Sequence, residues 1–196
     1  MIKVCLITVQ MLLVIGLEEL CAQNIDYQLI EKLQAGRTAT SDKFYASFDM
    51  TADVIGIATP VALGARYLSQ KNEANKLDFI SSCVSTVGTY GVAYVLKKTI
   101  DRDRPFYTYP VFTPYTYKTS GSIPSGSTSI AFTSATNLTL SLKKWYVAVP
   151  AYTYATMVGF SRVRLAEHYP SDVAAGAVLG VGSVLISRKL NQWINR

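Results

Sequence analysis

Apolar residues are concentrated in six stretches of the chain, and polar residues separate them. The first stretch, residues 4–17, follows a charged start at Lys3 and precedes the small-residue sequence Leu-Cys-Ala-Gln at 20–23. This order is typical of a cleaved secretory signal. The alternative is an uncleaved first membrane span, although a span needs about 20 apolar residues. We therefore expect residues 1–22 to be a signal peptide or a first span and residues 23–196 to form one domain.

The five other apolar stretches have helical spacing or are apolar on every side. They lie near residues 50–68, 79–96, 127–142, 145–160 and 173–187. No stretch shows the strict alternation that predicts a β-strand. The polar region 24–49 has scattered apolar positions that favour an amphipathic helix on a surface. The pattern predicts an all-α fold, a bundle of six helices when residues 4–17 are counted.

Composition and charge placement favour a membrane protein over a soluble bundle. Hydrophobic residues make up 49% of the 196 residues and charged residues 16%, against about 25% charged residues in soluble domains. If the chain starts inside and crosses six times, the short inner pieces 1–3, 66–78, 143–144 and 188–196 carry nine of the 19 Lys and Arg residues. This enrichment is the one that the positive-inside rule expects. The net charge of +6 therefore indicates orientation in a bilayer, and no motif indicates a nucleic-acid partner.

Histidine and cysteine usage excludes several kinds of site. His168 is the only histidine, which rules out a metal site built on two imidazoles. The three cysteines, at positions 5, 21 and 83, have no C-x-x-C spacing. The sequence therefore contains no histidine or cysteine pattern for a metal site, indicates no cofactor, and leaves the oligomeric state open.

Two clusters of polar residues stand at predicted helix ends on the outer side. Lys97 and Arg104 are seven residues apart, so a continuing helix would place both on one face before Pro105 ends or bends it. Pro124, Ser125 and the residues after them begin an apolar helix, whose free N–H groups and positive dipole end bind anions. Taken alone, the first cluster favours a solvated basic helix end and the second favours an ordinary helix cap.

The third cluster contains the sole imidazole. Ser161 and Arg162 precede His168, and Pro170 predicts that a helix starts at 170 or 171. Asp172 would then lie in the first turn and reach back to His168. A carboxylate on one ring nitrogen fixes the tautomer and leaves the other nitrogen as a nucleophile or base. The alternative is a structural His–Asp pair.

Together the three clusters resemble the type 2 phosphatidic acid phosphatase family, whose motifs are K-x6-R-P, P-S-G-H and S-R-x5-H-x3-D. This family is related in fold to bacterial acid phosphatases and vanadium haloperoxidases. The resemblance implies a six-helix membrane bundle that hydrolyses a lipid phosphate or diphosphate without a metal, at the periplasmic face of a bacterial inner membrane. It implies that His168 forms a phosphohistidine and that Asp172 orients it. The implied phosphate-binding residues are Lys97, Arg104, Ser125, Gly126 and Arg162.

Ser127 is the one departure from these motifs, because the family has its general-acid histidine there. A serine hydroxyl is a poor acid near neutral pH. Three explanations remain open. The leaving group needs little protonation, as in a diphosphate; another group, such as a tyrosine of the 107–117 loop or water, protonates it; or the protein is only weakly active.

The departure keeps open a non-catalytic phospholipid-binding relative. A soluble secreted acid phosphatase of the same fold is a separate alternative. The substrate also remains open among phosphatidic acid, phosphatidylglycerol phosphate, a polyprenyl diphosphate and a lipid A phosphate. The loop 106–117 is rich in aromatic residues, which favours a position at the bilayer interface, and packing on the helix bundle is the alternative.

Overall fold

The computed structural model describes residues 24–194, and the segment 4–17 lies outside them, together with the prediction of a signal peptide or first span. Residues 24–194 contain helices and no strand, which confirms the all-α prediction. The helices are α1 (24–34), α2 (Ala39–Gln70), α3 (Glu73–Ile100), α4 (Pro105–Thr108), α5 (Gly126–Leu142), α6 (Trp145–Arg164) and α7 (Pro170–Ile194).

Local caps set the boundaries of α2 and α3. Thr38 caps α2 through a reciprocal pair of hydrogen bonds with Ser41, and α2 ends at Lys71 in the left-handed conformation. Asn72 then caps α3, its side chain accepting a hydrogen bond from Asn75 N at 2.8 Å. Because only residues 71 and 72 separate the two helices, α2 and α3 run antiparallel and pack on each other.

The region 24–49 is not one surface helix, and the prediction was wrong there. The chain turns at Gly36, which has a φ of 74°, and residues 39–49 form the first turns of the 32-residue helix α2. Glycine permits this left-handed turn without steric cost. Only α1 remains as a separate short helix, and its Ile30 is buried against Tyr169 and neighbouring apolar residues.

The helix that carries Lys97 ends earlier than a continuous helix would. α3 stops at Ile100, and Asp101 has a φ of 44°. Pro105 then begins the separate short helix α4, because a proline is tolerated at the first helical position. Lys97 and Arg104 therefore do not share one helix face, and the prediction of a continuing helix was wrong.

The hydroxyl-rich helix α5 lies at the centre of the bundle and packs on α2, α3, α6 and α7. Several of its buried hydroxyls bond to nearby backbone carbonyls, as Thr133 Oγ1 does by donating to the Ser129 carbonyl at 2.8 Å. Small residues allow α7 to approach closely. A Cβ on Gly180 would lie 2.3 Å from the Ser129 carbonyl oxygen, and one on Gly176 would lie 2.7 Å from that of Ser125. Hydroxyl and small residues at helix contacts are typical of membrane bundles.

Apolar residues cover the outside of the bundle. Within residues 24–194, three helical stretches are long and apolar enough to cross a membrane: 39–70, 73–108 and 170–194. On these stretches the side chains of Val61, Val87 and Val178 are 64%, 72% and 74% exposed. An apolar surface around a hydroxyl-rich interior is the arrangement of a multi-pass membrane protein.

Candidate active site

The sole imidazole lies in the short turn between α6 and α7. α7 begins at Pro170, as predicted, and Asp172 lies in its first turn. His168 Nδ1 is 3.6 Å from Asp172 Oδ2. Ser122 Oγ lies 3.5 Å from the same nitrogen and donates a short hydrogen bond to the same carboxylate oxygen. The structure therefore brings the predicted pair together, with a serine hydroxyl beside both groups.

Asp172 is fully buried and surrounded by hydrogen-bond donors. The backbone N–H of Tyr169 donates to Oδ2 at 2.9 Å, and Arg102 Nη1 donates to Oδ1 at 2.7 Å. Together with the Ser122 hydroxyl, these donors stabilise the carboxylate as an anion. An anionic carboxylate beside Nδ1 favours the tautomer that carries the proton on Nδ1, which leaves the Nε2 lone pair free.

A second carboxylate holds Arg102 from the far side. Arg102 Nη2 donates to Asp26 Oδ2 at 3.0 Å, and the Ser171 backbone N–H donates to Asp26 Oδ1 at 3.0 Å. The Arg102 guanidinium also lies 4.0 Å from the centre of the Tyr169 ring. Helix α1, which carries Asp26, is thus connected through Arg102 to Asp172. Sequence reasoning gave no role to Arg102, Asp26 or Ser122. Arg102 lies at an x position of the first motif and Asp26 lies outside all three motifs. Their roles are evident only from their long-range contacts in the structure.

Lys97 and Arg104 converge on the loop 120–122, although Lys97 lies in α3 and Arg104 lies just before α4. Lys97 Nζ donates to the Gly121 carbonyl at 2.8 Å, and Arg104 Nε donates to the Ser120 carbonyl at 2.8 Å. Arg104 Nη1 lies 3.3 Å from His168 Nε2. In the part of the chain that the structure describes, neither cation has an acidic side chain within ion-pair distance. Their positive charge therefore remains available to an anion next to Nε2.

The first turn of α5 adds backbone donors beside Lys97. Ser125 caps the helix, and its own N–H donates to the Asp172 carbonyl at 3.0 Å. Its hydroxyl lies 2.8 Å from Thr128 Oγ1. A Cβ added to Gly126 would lie 4.0 Å from Lys97 Cε, so the lysine stem passes close to this turn. The N–H groups at the start of a helix have no partner within it and attract anions.

Arg162, the third predicted phosphate ligand, is paired with acids. It is 1% exposed, and Nη1 lies 2.8 Å from Asp49 Oδ2 while Nη2 contacts Glu167 at short distance. Lys118 Nζ lies 3.2 Å from Asp49 Oδ2 and 3.6 Å from Glu167 Oε2. The Ser127 hydroxyl donates to the other oxygen of Asp49. We refer to these five residues as the Ser127 cluster.

The sequence did not indicate three members of the Ser127 cluster, namely Asp49, Lys118 and Glu167. Asp49 lies in the region expected to form a surface helix, and Lys118 directly follows the loop 106–117, which was noted only for its aromatic residues. Both come close to Arg162 through tertiary packing, because α2 crosses the site and the loop folds back on it. No local pattern identifies either residue.

Burial sets the protonation state of the imidazole. The side chain of His168 is enclosed by protein, and this burial lowers its pKa from 6.5 to about 3, with Arg104 and Arg162 acting in the same direction. The hydrogen-bonding influence of Asp172 opposes the shift without reversing it. His168 is therefore neutral at neutral pH, and a neutral imidazole has the lone pair that nucleophilic attack requires.

The assembled groups can bind and attack a phosphoryl group. Arg104 supplies positive charge beside one imidazole nitrogen, and Asp172 faces the other. Lys97 and the adjacent start of α5 add positive charge and N–H donors. Such charge-assisted donors suit the oxygens of a phosphate. Within residues 24–194, no three histidine, cysteine or acidic side chains are grouped so as to hold a metal ion.

The family model of the PAP2 superfamily matches residues 78–196. The chain is 25% identical to the lipid A 1-phosphatase of Porphyromonas gingivalis over 178 residues, which cover 89% of this chain and 36% of that protein. It is 33% identical to the undecaprenyl-diphosphatase of Sulfolobus acidocaldarius over 102 residues, or 52% of this chain and 49% of that protein. The chain thus spans less than half the length of these two curated relatives.

Solved membrane phosphatase structures have a similar fold. A transmembrane PAP2-type phosphatidylglycerolphosphate phosphatase from Bacillus subtilis superposes with a TM-score of 0.72 at 24% identity, covering 90% of this chain and 89% of that one. LpxE from Aquifex aeolicus superposes with a TM-score of 0.65 at 26% identity, covering 83% and 94% of the two chains.

Proposed function

The chain belongs to the PAP2 superfamily, and from this premise we propose that it is a membrane phosphatase that hydrolyses a lipid phosphate or diphosphate. The observation that carries the proposal is the position of His168 Nε2 next to Arg104, with Asp172 on the opposite side of the ring. Residues 23–196 are the proposed catalytic domain. The proposed location is a bacterial inner membrane, with the site on the periplasmic face as the distribution of basic residues favours.

In the proposed reaction His168 is the nucleophile. Its Nε2 attacks phosphorus and the bond to the leaving oxygen breaks, which gives a phosphohistidine that water then hydrolyses. Asp172 stabilises the positive charge that develops on the imidazole. Lys97, Arg104, the Ser125 hydroxyl and the Gly126 backbone N–H bind the phosphoryl oxygens, and Arg162 joins them when the substrate draws it from its acidic partners.

Phosphate release from the purified protein in detergent tests the proposal. The substrates are phosphatidic acid, phosphatidylglycerol phosphate, a polyprenyl diphosphate and a lipid A phosphate. We expect the wild type to release phosphate from at least one lipid, and His168→Ala to abolish release. Cys83→Ala, a change in α3 outside the site, should keep the wild-type rate. Equal rates for wild type and His168→Ala would refute the proposal.

Ser127 supports a second candidate, a protein that binds phospholipid and does not turn it over. The predicted general acid is missing at this position, and general acid catalysis typically contributes about 10²–10⁴-fold. Ser127→His separates the two candidates. A non-catalytic protein would remain inactive with the new histidine, whereas an enzyme would show His168-dependent release with or without it.

A further inference from the structure

The leaving group of a phosphate ester needs a proton, and the structure limits where it comes from. The chain has no second histidine, and the hydroxyl at Ser127 is a poor acid. Tyr117, the nearest tyrosine in sequence to the Ser127 cluster, is 71% exposed and packs its ring on Phe106. The other members of the Ser127 cluster lie around this hydroxyl and are the next candidates.

Three members of the cluster are unsuitable as acids. Asp49 accepts a hydrogen bond from Ser127 on one oxygen and faces two cations with the other, so it is ionised and has no proton to give. Glu167 is paired with the same two cations. Arg162 is a guanidinium, which does not lose its proton in proteins. Lys118 alone carries a proton that a protein environment can make transferable.

We propose that Lys118 is the general acid of this protein and donates the leaving-group proton in place of the missing histidine. The proposal rests on the proposed phosphatase function. Lys118 Nζ and Ser127 Oγ bond to the two oxygens of one carboxylate, so the ammonium lies next to the position from which the motif's histidine would act. Asp49 positions both groups. The lysine side chain is 36% exposed, and a leaving group can therefore reach it.

The surroundings of Lys118 favour proton release. Burial and the charges of Arg162 and Arg104 lower the pKa of Lys118, whereas Asp49 acts in the opposite direction. The groups that face Lys118 come from α2 through Asp49, from α6 through Arg162 and from the 165–169 turn through Glu167. A lysine whose pKa is lowered towards the working pH is a better general acid than an ordinary lysine.

The two half-reactions balance with this single acid. In the first, the bond from His168 Nε2 to phosphorus forms, the bond to the leaving oxygen breaks, and Lys118 Nζ gives that oxygen a proton. In the second, neutral Lys118 takes a proton from the water that attacks phosphorus, and the bond from Nε2 to phosphorus breaks. Inorganic phosphate leaves, and both side chains return to their initial states.

The test compares two substrates with the same hydrocarbon chain but different leaving groups. One is an alkyl phosphate, whose alkoxide needs a proton, and the other is an aryl phosphate, whose phenolate leaves with little help. We expect Lys118→Met to lower the alkyl phosphate rate about 10²–10⁴-fold and the aryl phosphate rate less than about 10-fold. Lys118→Arg keeps the positive charge but does not release a proton, so the same split is expected.

A rescue variant controls for structural damage. Lys118→Met combined with Ser127→His places an imidazole beside Asp49 and should recover most of the alkyl phosphate rate. Equal losses for both substrates, or a full alkyl phosphate rate in Lys118→Arg, would overturn the role of Lys118. His168→Ala separates this outcome from a failure of the proposed function, because retained activity in that variant would overturn both proposals. If His168→Ala loses activity on both substrates while Lys118→Met keeps full alkyl phosphate activity, only the role of Lys118 is overturned.

Discussion

The protonation state of His168 leads to a prediction that needs no substrate. The perturbation is a change of pH from 8 to 5. An ordinary imidazole with a pKa of about 6.5 is about 97% protonated at pH 5. Burial lowers the pKa of His168 to about 3, which leaves about 1% protonated at pH 5. We therefore expect the imidazole to stay neutral across this range.

Because the chain has one histidine, a histidine-labelled sample gives the spectrum of one imidazole. The assay is nuclear magnetic resonance of ¹³C,¹⁵N-histidine-labelled protein in detergent micelles, purified without a polyhistidine tag. The ring resonances should show no titration between pH 8 and pH 5. The same sample after denaturation should titrate near pH 6.5. A midpoint between pH 6 and 7 in the folded protein would refute a buried, neutral nucleophile.

The same shift makes stability depend on pH, with a definite sign. Between pH 3 and 6.5 the unfolded chain binds the histidine proton and the folded chain does not. The free energy of unfolding is thus unaffected by His168 above about pH 6.5, and it decreases as the pH falls from 6.5 towards 3. At pH 5, about 1.5 units below the pKa of the unfolded chain, the free energy of unfolding is lower by about 2 kcal/mol, at 1.36 kcal/mol per pKa unit.

Two further predictions concern packing and positioning. Gly180→Ala should lower the free energy of unfolding in detergent by about 1–3 kcal/mol, because its Cβ would meet the α5 backbone. Gly182→Ala has open space on the same helix and should leave the free energy of unfolding unchanged. Equal effects of the two changes would contradict the close contact between α5 and α7. Asp26→Asn should lower kcat for phosphate release, because it weakens the hold on Arg102. Asp42→Asn changes an ion pair with Arg37 outside the site and should leave kcat unchanged. An unchanged kcat in Asp26→Asn would show that the contact between Asp26 and Arg102 does not position Asp172.

The sequence predicted the groups whose spacing is local and missed those that depend on tertiary packing. Asp172 lies in the first turn of a proline-started helix and His168 lies two residues before that helix, so their proximity follows from the local helix start. Arg162 was expected near phosphate, but its acidic partners were not. Asp49 lies more than a hundred residues before Arg162 in the chain. Lys118, which pairs with the same carboxylate, lies in a loop without a periodic pattern.

The fold shows the same division between local and long-range information. Apolar periodicity located the long helices, and the helix-start pattern at Pro170 gave the first residue of α7. Hydropathy gave little indication that α5 is central, because its hydroxyl groups lower its apolar character while bonding to its own carbonyls. Gly36, a single residue with positive φ, divided a region that the pattern predicted as one helix.

The ion pairs of Arg162 bear on how the protein avoids blockage by the lipids around it. Arg162 and Lys118 face Asp49 and Glu167, so two cations are already opposed by two carboxylates. Any headgroup that uses Arg162 must compete with these internal anions. The phosphodiesters of bulk lipids carry a single negative charge, whereas a phosphate monoester carries about 1.5 to 2 at neutral pH. We expect the internal carboxylates to act as competitors that singly charged headgroups fail to displace from Arg162, so that this arginine favours a terminal phosphate.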